Sequence, residues 1–584
     1  METVFLRNIP PLPSNYAQRV GRAGRSINAA AFALTFARLS SHDFTFFDQP
    51  KEMINGVIYP PNFNLDNEKI LRRHIYAVAL SSFFKIKPEF YYGNNAKKFI
   101  NDKGYQQFIS WLKSEPKELK DLLKNSIIGI NERLKYKYID SSEWLKDFCE
   151  EGGVLFNLIL EYEQNIDYLE KELKKARKEG DGRIITLFER KLDRYRKNDL
   201  IDFLVRGNIL PKYGFPIDSV ELSQNIASQN NKSLNLSRDL SVAISEYAPS
   251  SEIVADGGLY TSRYIRKPIV NKSEMNNFET AYIATCTECE NVNYSFVPIS
   301  KEDGKPCAIC GKTLKHRDFH LSIEPRAGFV AEEDVKDVPL SSQERKYKTE
   351  AIYIGDPIVF PISQYEFKIA NVNLKVESTA NDSLVVKSTD CFYVCPKCGY
   401  SIANDEKAKL KKYDDYRDGV SRIEKTKDEH KNPFGRGKCS NASLKKYFLH
   451  HEFKTDVAKI SFDCDTSDYS TMKSVMYAML NSFANELNIE RRDIKACLTY
   501  KVSNCKKEHK IIIYDAVPGG AGHSRRLSTE DGAIFKRVIK RAITLLETCQ
   551  CEPSCYRCLR NYENQKDHEI LDRQKALIFL KQFE

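Results

Sequence analysis

Apolar residues recur at helical spacing in three stretches of the chain and alternate at strand spacing between and around them. Ile166, Leu169, Leu173 and Ala176 fall on one face of a helix, and Ile185, Phe188, Leu192 and Tyr195 on one face of another. Gly180-Asp181-Gly182 between them turns the chain, so the pattern predicts an antiparallel helical hairpin within a mainly helical region, residues 98–208. Met472, Val475, Met476, Met479, Leu480 and Phe483 trace a third stripe, read as core rather than as a binding surface. Glu252–Ala255, Tyr260–Ile265 and Phe448–Phe462 alternate as strands do. Ala496–Val502 and Ile511–Asp515 also read as strands, followed by the glycine-rich Pro518–Gly522 and a helix from about Gly532 to Thr548. That loop suits a tight turn better than a phosphate cradle. At the amino end, Glu2–Arg7 and Ala30–Phe36 read as strands around a short helix with Ser14 as its N-cap.

Composition narrows the setting. A chain of 584 residues is long enough for three to five domains. Its net charge of +10 is mild for that length; it permits nucleic-acid binding without arguing strongly for it. No apolar run reaches the length of a membrane span and no secretion signal precedes the first strand, so membrane function is not expected. Sixteen cysteines, mostly in close pairs, then point to thiolates on metal in a reducing, cytoplasmic setting rather than to disulfides.

Three cysteine groups have metal-ligand spacing. Cys286-x2-Cys289 and Cys307-x2-Cys310 form two knuckles seventeen residues apart, which suits a short β-hairpin carrying the second pair. Cys395-Pro-Lys-Cys398 supplies half of a second site; His430 and Cys439 are the best remaining ligands, with Cys391 able to replace one of them. Cys549, Cys551, Cys555 and Cys558 bring four thiols into ten residues, favouring structural zinc over an iron–sulfur cluster with the same ligands. Two to three structural zinc sites are expected. Cys149, Cys464, Cys497 and Cys505 lack partners at such spacing and are expected as buried free thiols.

Gln18-Arg19-Val20-Gly21-Arg22-Ala23-Gly24-Arg25 sits between the two amino-terminal strands. On a helix Gln18, Arg22 and Arg25 share one face, while the glycines let a phosphate or a neighbouring backbone come close. Two guanidiniums on one small surface suit the charge of a transferring γ-phosphoryl group. The bland alternative is a solvated basic face. ATP hydrolysis also needs a phosphate loop and an acidic Mg²⁺ ligand. The sole Gly-Lys-Thr, Gly311-Lys312-Thr313, lies inside a cysteine group with Pro306 where the loop's first glycine belongs. By itself this chain is expected to hydrolyse no ATP.

Five separated motifs resemble the C-terminal part of bacterial superfamily 2 DNA helicases that carry an MrfA-type zinc-binding domain. They are Gln18–Arg25, Leu210–Pro216, Ala243–Pro249, Asp515–Gly522, and Cys549–Asn561 with Tyr556, Arg557 and Leu559. Ser250 stands where that family often has glycine. The resemblance implies an α/β multidomain chain. Residues 1–60 would be a remnant of the second RecA-like domain and 61–215 a helical domain. Residues 216–463 would be a β-rich region with two zinc-ribbon-like sites, and 464–584 an α/β zinc-binding domain. It implies an ATP-driven, 3′→5′ DNA motor in which Arg22 and Arg25 are catalytic and Gln18, Arg22 and Arg25 meet ATP/Mg²⁺. The rest of that nucleotide site would come from an N-terminal helicase half or a partner subunit. Single-stranded DNA or a single/double-strand junction is the expected substrate, in DNA repair or in phage defence of the DISARM and Druantia kinds. The alternative is a non-enzymatic, zinc-dependent DNA-binding or assembly subunit of such a complex. A nuclease is disfavoured, since no His-x-Lys pair or carboxylate cluster at ligand spacing stands out.

Overall fold

A computed structural model describes the chain apart from residues 1, 25–29, 40, 59–66, 94–95, 128, 131, 142–143, 180–184, 186–188, 190–191, 194–195, 197–198, 208, 212–217, 225–234, 268, 272–273, 276–277, 279, 289–291, 296–298, 300–303, 309, 339–348, 355–360, 370–371, 416–422, 427–429, 431–437, 440–442 and 504–505. It shows a mixed α/β chain in two compact units. One unit combines Met1–Asn62, Asp218–Ala516 and His523–Glu584; the other combines Phe63–Ile217 with Val517–Gly522.

The chain opens with β1 (Thr3–Leu6), α1 (Pro13–Val20) and β2 (Phe32–Thr35), the strands pairing in parallel with Thr3 opposite Phe32. The helix starts before the expected cap. Pro13 lies in its first turn, Leu12 is the N-cap residue, and no side chain caps the end. Proline takes this place because it lacks the N–H that a first turn leaves unpaired. Gly24 has φ of 71°, and a Cβ there would come within 2.5 Å of the Ala31 Cβ. Gly24→Ala is expected to cost about 1–3 kcal/mol, read as a lower midpoint in thermal denaturation. An unshifted midpoint would mean that this turn tolerates a side chain. Two short helices follow, α2 (Ser41–Asp48) and α3 (Pro50–Ile54).

The second unit is helical, led by α4 (Glu68–Ile86) and including α5 (Val154–Glu179). Its core holds Ile75, Phe83, Phe99, Phe108 and Leu155, with the Tyr76 and Phe148 rings stacked at 3.9 Å. Leu169, Leu173 and Leu192 pack together with Ile166 and Ile185, and Arg177–Glu189 and Arg196–Glu170 ion pairs span the same two segments, as a hairpin requires. The expected turn, Phe188 and Tyr195 lie outside the described residues, as does most of Leu210–Pro216. Asn67 caps α4, accepting from the Lys69 and Ile70 N–H groups, and its Nδ2 donates to the Ala521 carbonyl. Arg73 donates to the Gly519 carbonyl. The glycine-rich loop is therefore a turn whose carbonyls meet α4.

In the first unit, strands β3 (Thr280–Thr285), β4 (Val292–Ser295), β5 (His320–Ile323), β6 (Val372–Ser388), β7 (Ser443–Phe462), β8 (Ile494–Ser503) and β9 (Lys506–Asp515) belong to one large sheet. β7 is its hub. It pairs antiparallel with β6 and β9 and parallel with β5. The sheet thus runs across residue 463, where the sequence suggests a division. Helices α6 (Tyr469–Leu487), α7 (Ala533–Thr548) and α8 (Arg573–Leu580) cover one face. All six apolar residues of the methionine-rich stripe are fully buried there. Methionine fills such irregular gaps well.

A smaller sheet, built on Gly258–Ile265, Phe329–Ala331 and Ser219–Gln224, packs on a helix at Leu240–Glu246. Just beyond, Ser250 adopts φ of 69°, which explains why glycine suits the position. The serine hydroxyl compensates. It donates to Glu406 at 2.7 Å and accepts from Arg263 at 2.9 Å, and Arg263 also pairs with Glu332.

A buried polar knot joins β4, β5 and β7. The His450 ring nitrogens lie 2.8 Å from the Ser322 hydroxyl and 3.0 Å from Tyr294 Oη. His451 Nδ1 lies 2.9 Å from Glu324, which Arg326 pairs at 2.7 Å. Burial opposes the Glu324 charge, yet Arg326 and His451 hold its carboxyl well below the usual range. Burial also pushes His450 down from 6.5 to about 4. A depressed folded pKa gives stability that is present at neutral pH and fades as the pH falls from 6.5 towards 4. For His450 the fade amounts to about 3 kcal/mol. Urea midpoints measured across that window are expected to fall less steeply in His450→Gln; parallel curves would reject this linkage.

Candidate metal centres and the arginine turn

Each Cys-x2-Cys-Gly segment folds as the same knuckle. Gly399 N–H donates to the Cys395 carbonyl at 3.0 Å, and Cys395 N–H donates to the Tyr400 carbonyl at 2.7 Å. Gly311 and Cys307 repeat this with Lys312, at 3.0 and 2.8 Å. Gly311 has φ of 75°, so the glycine of Gly311-Lys312-Thr313 belongs to a metal knuckle. Thr313–Leu314 pairs with Lys305–Pro306 in the expected hairpin.

Cys286, Cys307 and Cys310 bring their sulfurs within 4.8 Å of one another; Cys289 lies outside the described residues. Asn293 serves this site in two ways. Its Nδ2 donates to Cys307 Sγ at 3.3 Å and its Oδ1 accepts from Ala308 N–H at 2.9 Å.

Cys395, Cys398, His430 and Cys439 also converge within 4.8 Å, all buried. Cys391 is buried but stands apart from this group. The His430 ring stacks on Tyr400 at 4.5 Å, and neither ring nitrogen has a hydrogen-bond partner among the described residues. A buried imidazole without partners suits a metal ligand. The bond from Cys398 pulls Cys395 down to about 3 while Cys398 is pushed far up, so the two thiols cannot share charge unaided.

At the third group, Sγ separations are 3.3 Å for Cys549–Cys551, 3.5 Å for Cys549–Cys555, 3.4 Å for Cys551–Cys558 and 3.8 Å for Cys555–Cys558. Four thiolates around one tetrahedral ion, with bonds of about 2.3 Å, would sit roughly 3.8 Å apart. A cluster of several irons would spread them over different metal atoms, so the geometry favours one ion. Cys555 is pulled down to about 4 by its bond from Cys558, while burial pushes Cys551 up to about 12. A divalent cation resolves such a conflict.

The terminal loop is braced by residues that no spacing rule identifies. Arg573 donates to the carbonyls of Cys551 and Leu546, and Asn481 to that of Cys558. Cys149 and Cys497 are buried and Cys464 is half-buried; Cys505 lies outside the described residues.

The arginine turn departs from the expected helix face. α1 ends at Val20, Gly21 caps it, and Arg22 lies in the following turn, its N–H 3.4 Å from the Arg19 carbonyl. Gln18 and Arg22 are exposed, and Arg22 has no acidic partner among the described residues; Arg25 lies outside them. The segment holding this turn is seated on the terminal cysteine loop. Asp43 of α2 accepts from Ile9 and Arg38 N–H, at 3.3 and 2.9 Å, joining α2 to the ends of β1 and β2. His42 packs edge-on against Tyr556 and Tyr562, Ser41 hydrogen-bonds His568, and Arg557 pairs with Glu52 of α3.

Residues 475–559 match the model of the MrfA Zn-binding domain. The Druantia protein DruE of Escherichia coli (strain UMEA 4076-1) is 23% identical over 641 aligned residues, covering 99% of this chain and 33% of DruE. Two solved structures of the DUF1998 helicase MrfA, one bound to DNA and one bound to DNA and AMPPNP, align over all of this chain and 52% and 50% of theirs. Their identities are 12% and 10% and their TM-scores 0.41 and 0.38. The chain spans about one third of the length of DruE and about half that of those MrfA chains. The resemblance to helicase-related proteins with an MrfA-type zinc-binding domain is thereby borne out, and the cysteine groups and the matched domain support zinc.

Proposed function

From a carboxyl end built as an MrfA-type zinc-binding domain, we propose that this chain is the distal part of an ATP-driven, 3′→5′ DNA helicase or translocase. Gln18, Arg22 and Arg25 face the γ-phosphate of ATP/Mg²⁺ held on another α/β layer, with Arg22 and Arg25 as the catalytic fingers. Zinc is held structurally by Cys549, Cys551, Cys555 and Cys558, by Cys395, Cys398, His430 and Cys439, and by Cys286, Cys289, Cys307 and Cys310. The work is DNA processing in the cytoplasm, in phage defence of the Druantia kind or in repair.

The observation that carries this reading is the exposed Gln18–Arg22 turn, with no acidic partner for Arg22 among the described residues. The strands around it agree. Phe5, Phe32 and Leu34 of the parallel β1–β2 pair are 60%, 64% and 60% exposed, and parallel sheets are ordinarily covered on both faces. The test is reconstitution with a polypeptide that carries a phosphate loop and an acidic Mg²⁺ ligand, reading DNA-stimulated ATP hydrolysis. No hydrolysis by the assembled pair rejects the motor.

A second reading, a non-enzymatic zinc-dependent DNA-binding or assembly subunit, rests on the converging cysteine groups alone. It expects the metal-loaded chain to retain DNA in a salt-sensitive manner without nucleotide.

A further inference from the structure

Helix α7 carries its charge on one side. Lys536, Arg537, Lys540 and Arg541 are all exposed, and the helix's one acidic residue, Glu547, lies at its far end paired with Lys581. Together with α6 this face walls an open groove of about 530 Å³, lined among others by Ser482, Asn485, Glu486, Arg537, Lys540 and Arg541. Glu486 grips both guanidiniums, at 2.6 Å from Arg537 and 3.1 Å from Arg541, yet each arginine keeps half of its side chain exposed. Burial opposes the Glu486 charge, but the two arginines hold its carboxyl below the usual range. The carboxylate thus offsets part of the charge of both guanidiniums. Lys540 has no ion-pair partner among the described residues. Ser482 is fully buried in the groove, and its hydroxyl has no hydrogen-bond partner among them.

We propose that the α6–α7 groove binds the phosphodiester backbone of a single nucleic-acid strand. Arg537, Lys540 and Arg541 contact successive phosphates, and the exposed Asn485 amide adds a hydrogen bond. Arginine, lysine and asparagine are side chains that ordinarily serve phosphate oxygens. The groove residues include no aromatic ring for base stacking, so recognition is of backbone and not of sequence. A groove of about 530 Å³ between two helices takes one strand of backbone, whereas a duplex, with a major groove about 12 Å wide, could only lie across its rim. The inference deepens the reading of this chain as a DNA-handling protein and rests on it.

The test is fluorescence anisotropy of the full zinc-loaded chain with labelled oligodeoxythymidylate across a salt series, with a blunt duplex as the second probe. Lys540→Ala/Arg541→Ala is expected to weaken single-strand binding about tenfold at low salt. It should also flatten the log–log salt slope by roughly 0.7 for each lost contact, roughly 1.4 in all. Glu486→Gln is expected to tighten binding about threefold by removing the groove's carboxylate, a change that misfolding cannot produce. Lys174→Ala/Lys175→Ala on α5 removes the same charge elsewhere and should leave the slope in place. The proposal is overturned if the Lys540/Arg541 variant matches the native chain or the α5 control, or if the duplex binds as tightly through the same residues. A native chain that binds neither probe at low salt overturns this proposal and the DNA-binding reading together. Loss of ATPase with the groove titration intact overturns only the motor.

Discussion

Cys558→Ser is expected to strip one zinc from the protein and unfold the carboxyl-terminal helical layer. Cys558 is fully buried, with its sulfur 3.4 Å from Cys551 and 3.8 Å from Cys555 and accepting the Cys555 N–H at 3.3 Å. It also belongs to the apolar core formed with α6, α7 and α8, beside Leu559. A structural zinc supplies on the order of 10 kcal/mol of apparent folding free energy, comparable with the whole stability of a typical domain. A hydroxyl at 558 is a far weaker ligand than a thiolate and leaves the other three thiols in mutual repulsion. Metal analysis should therefore show one zinc fewer per chain, with the thermal transition lowered by at least about 10 °C. Cys464→Ser is the control, since Cys464 is half-buried and belongs to none of the metal groups among the described residues. Full zinc content and an unshifted transition in the Cys558 variant would rule out a metal role for this thiol.

On the proposed motor reading, Arg22→Ala should cost the reconstituted assembly about 10³-fold or more in ATP turnover. The side chain is exposed, so its removal should leave folding and zinc content alone. Arg22→Lys discriminates between roles. A point charge serves general attraction, whereas a planar fork is needed to meet two oxygens at once. Lysine is expected to restore little turnover, and Arg25→Ala should behave as Arg22→Ala does. Turnover by Arg22→Ala within about twofold of the native assembly would remove this arginine from the nucleotide site.

What could be read in advance was local. The cysteine knuckles were readable because two ligands three residues apart, followed by glycine, need little else to form a turn. His430 and Cys439 carry no such local signature and stand out only as the remaining ligand types; the returning chain joins them, with Cys439 N–H donating to the His430 carbonyl at 2.8 Å. The hairpin stripe and the methionine core followed from periodicity, which is a property of a single element. Errors arose where neighbours compete over a few residues. Pro13 displaced Ser14 from the cap, and Gly21 ended α1 before Arg22 could join its face. Long-range partners left no signal at all. Nothing in the spacing of Glu52 and Arg557, 505 residues apart, announces their pairing, and Asn293, Asn481 and Arg573 lie at ordinary polar positions.

Tyr556 and Arg557 sit between the thiols of Cys555 and Cys558, and both reach α2 or α3, which carry the opening strands. The four thiols are thus the footing of the amino-terminal segment. An oxidant that couples any two of them is expected to loosen that footing and, with it, the turn that carries Arg22.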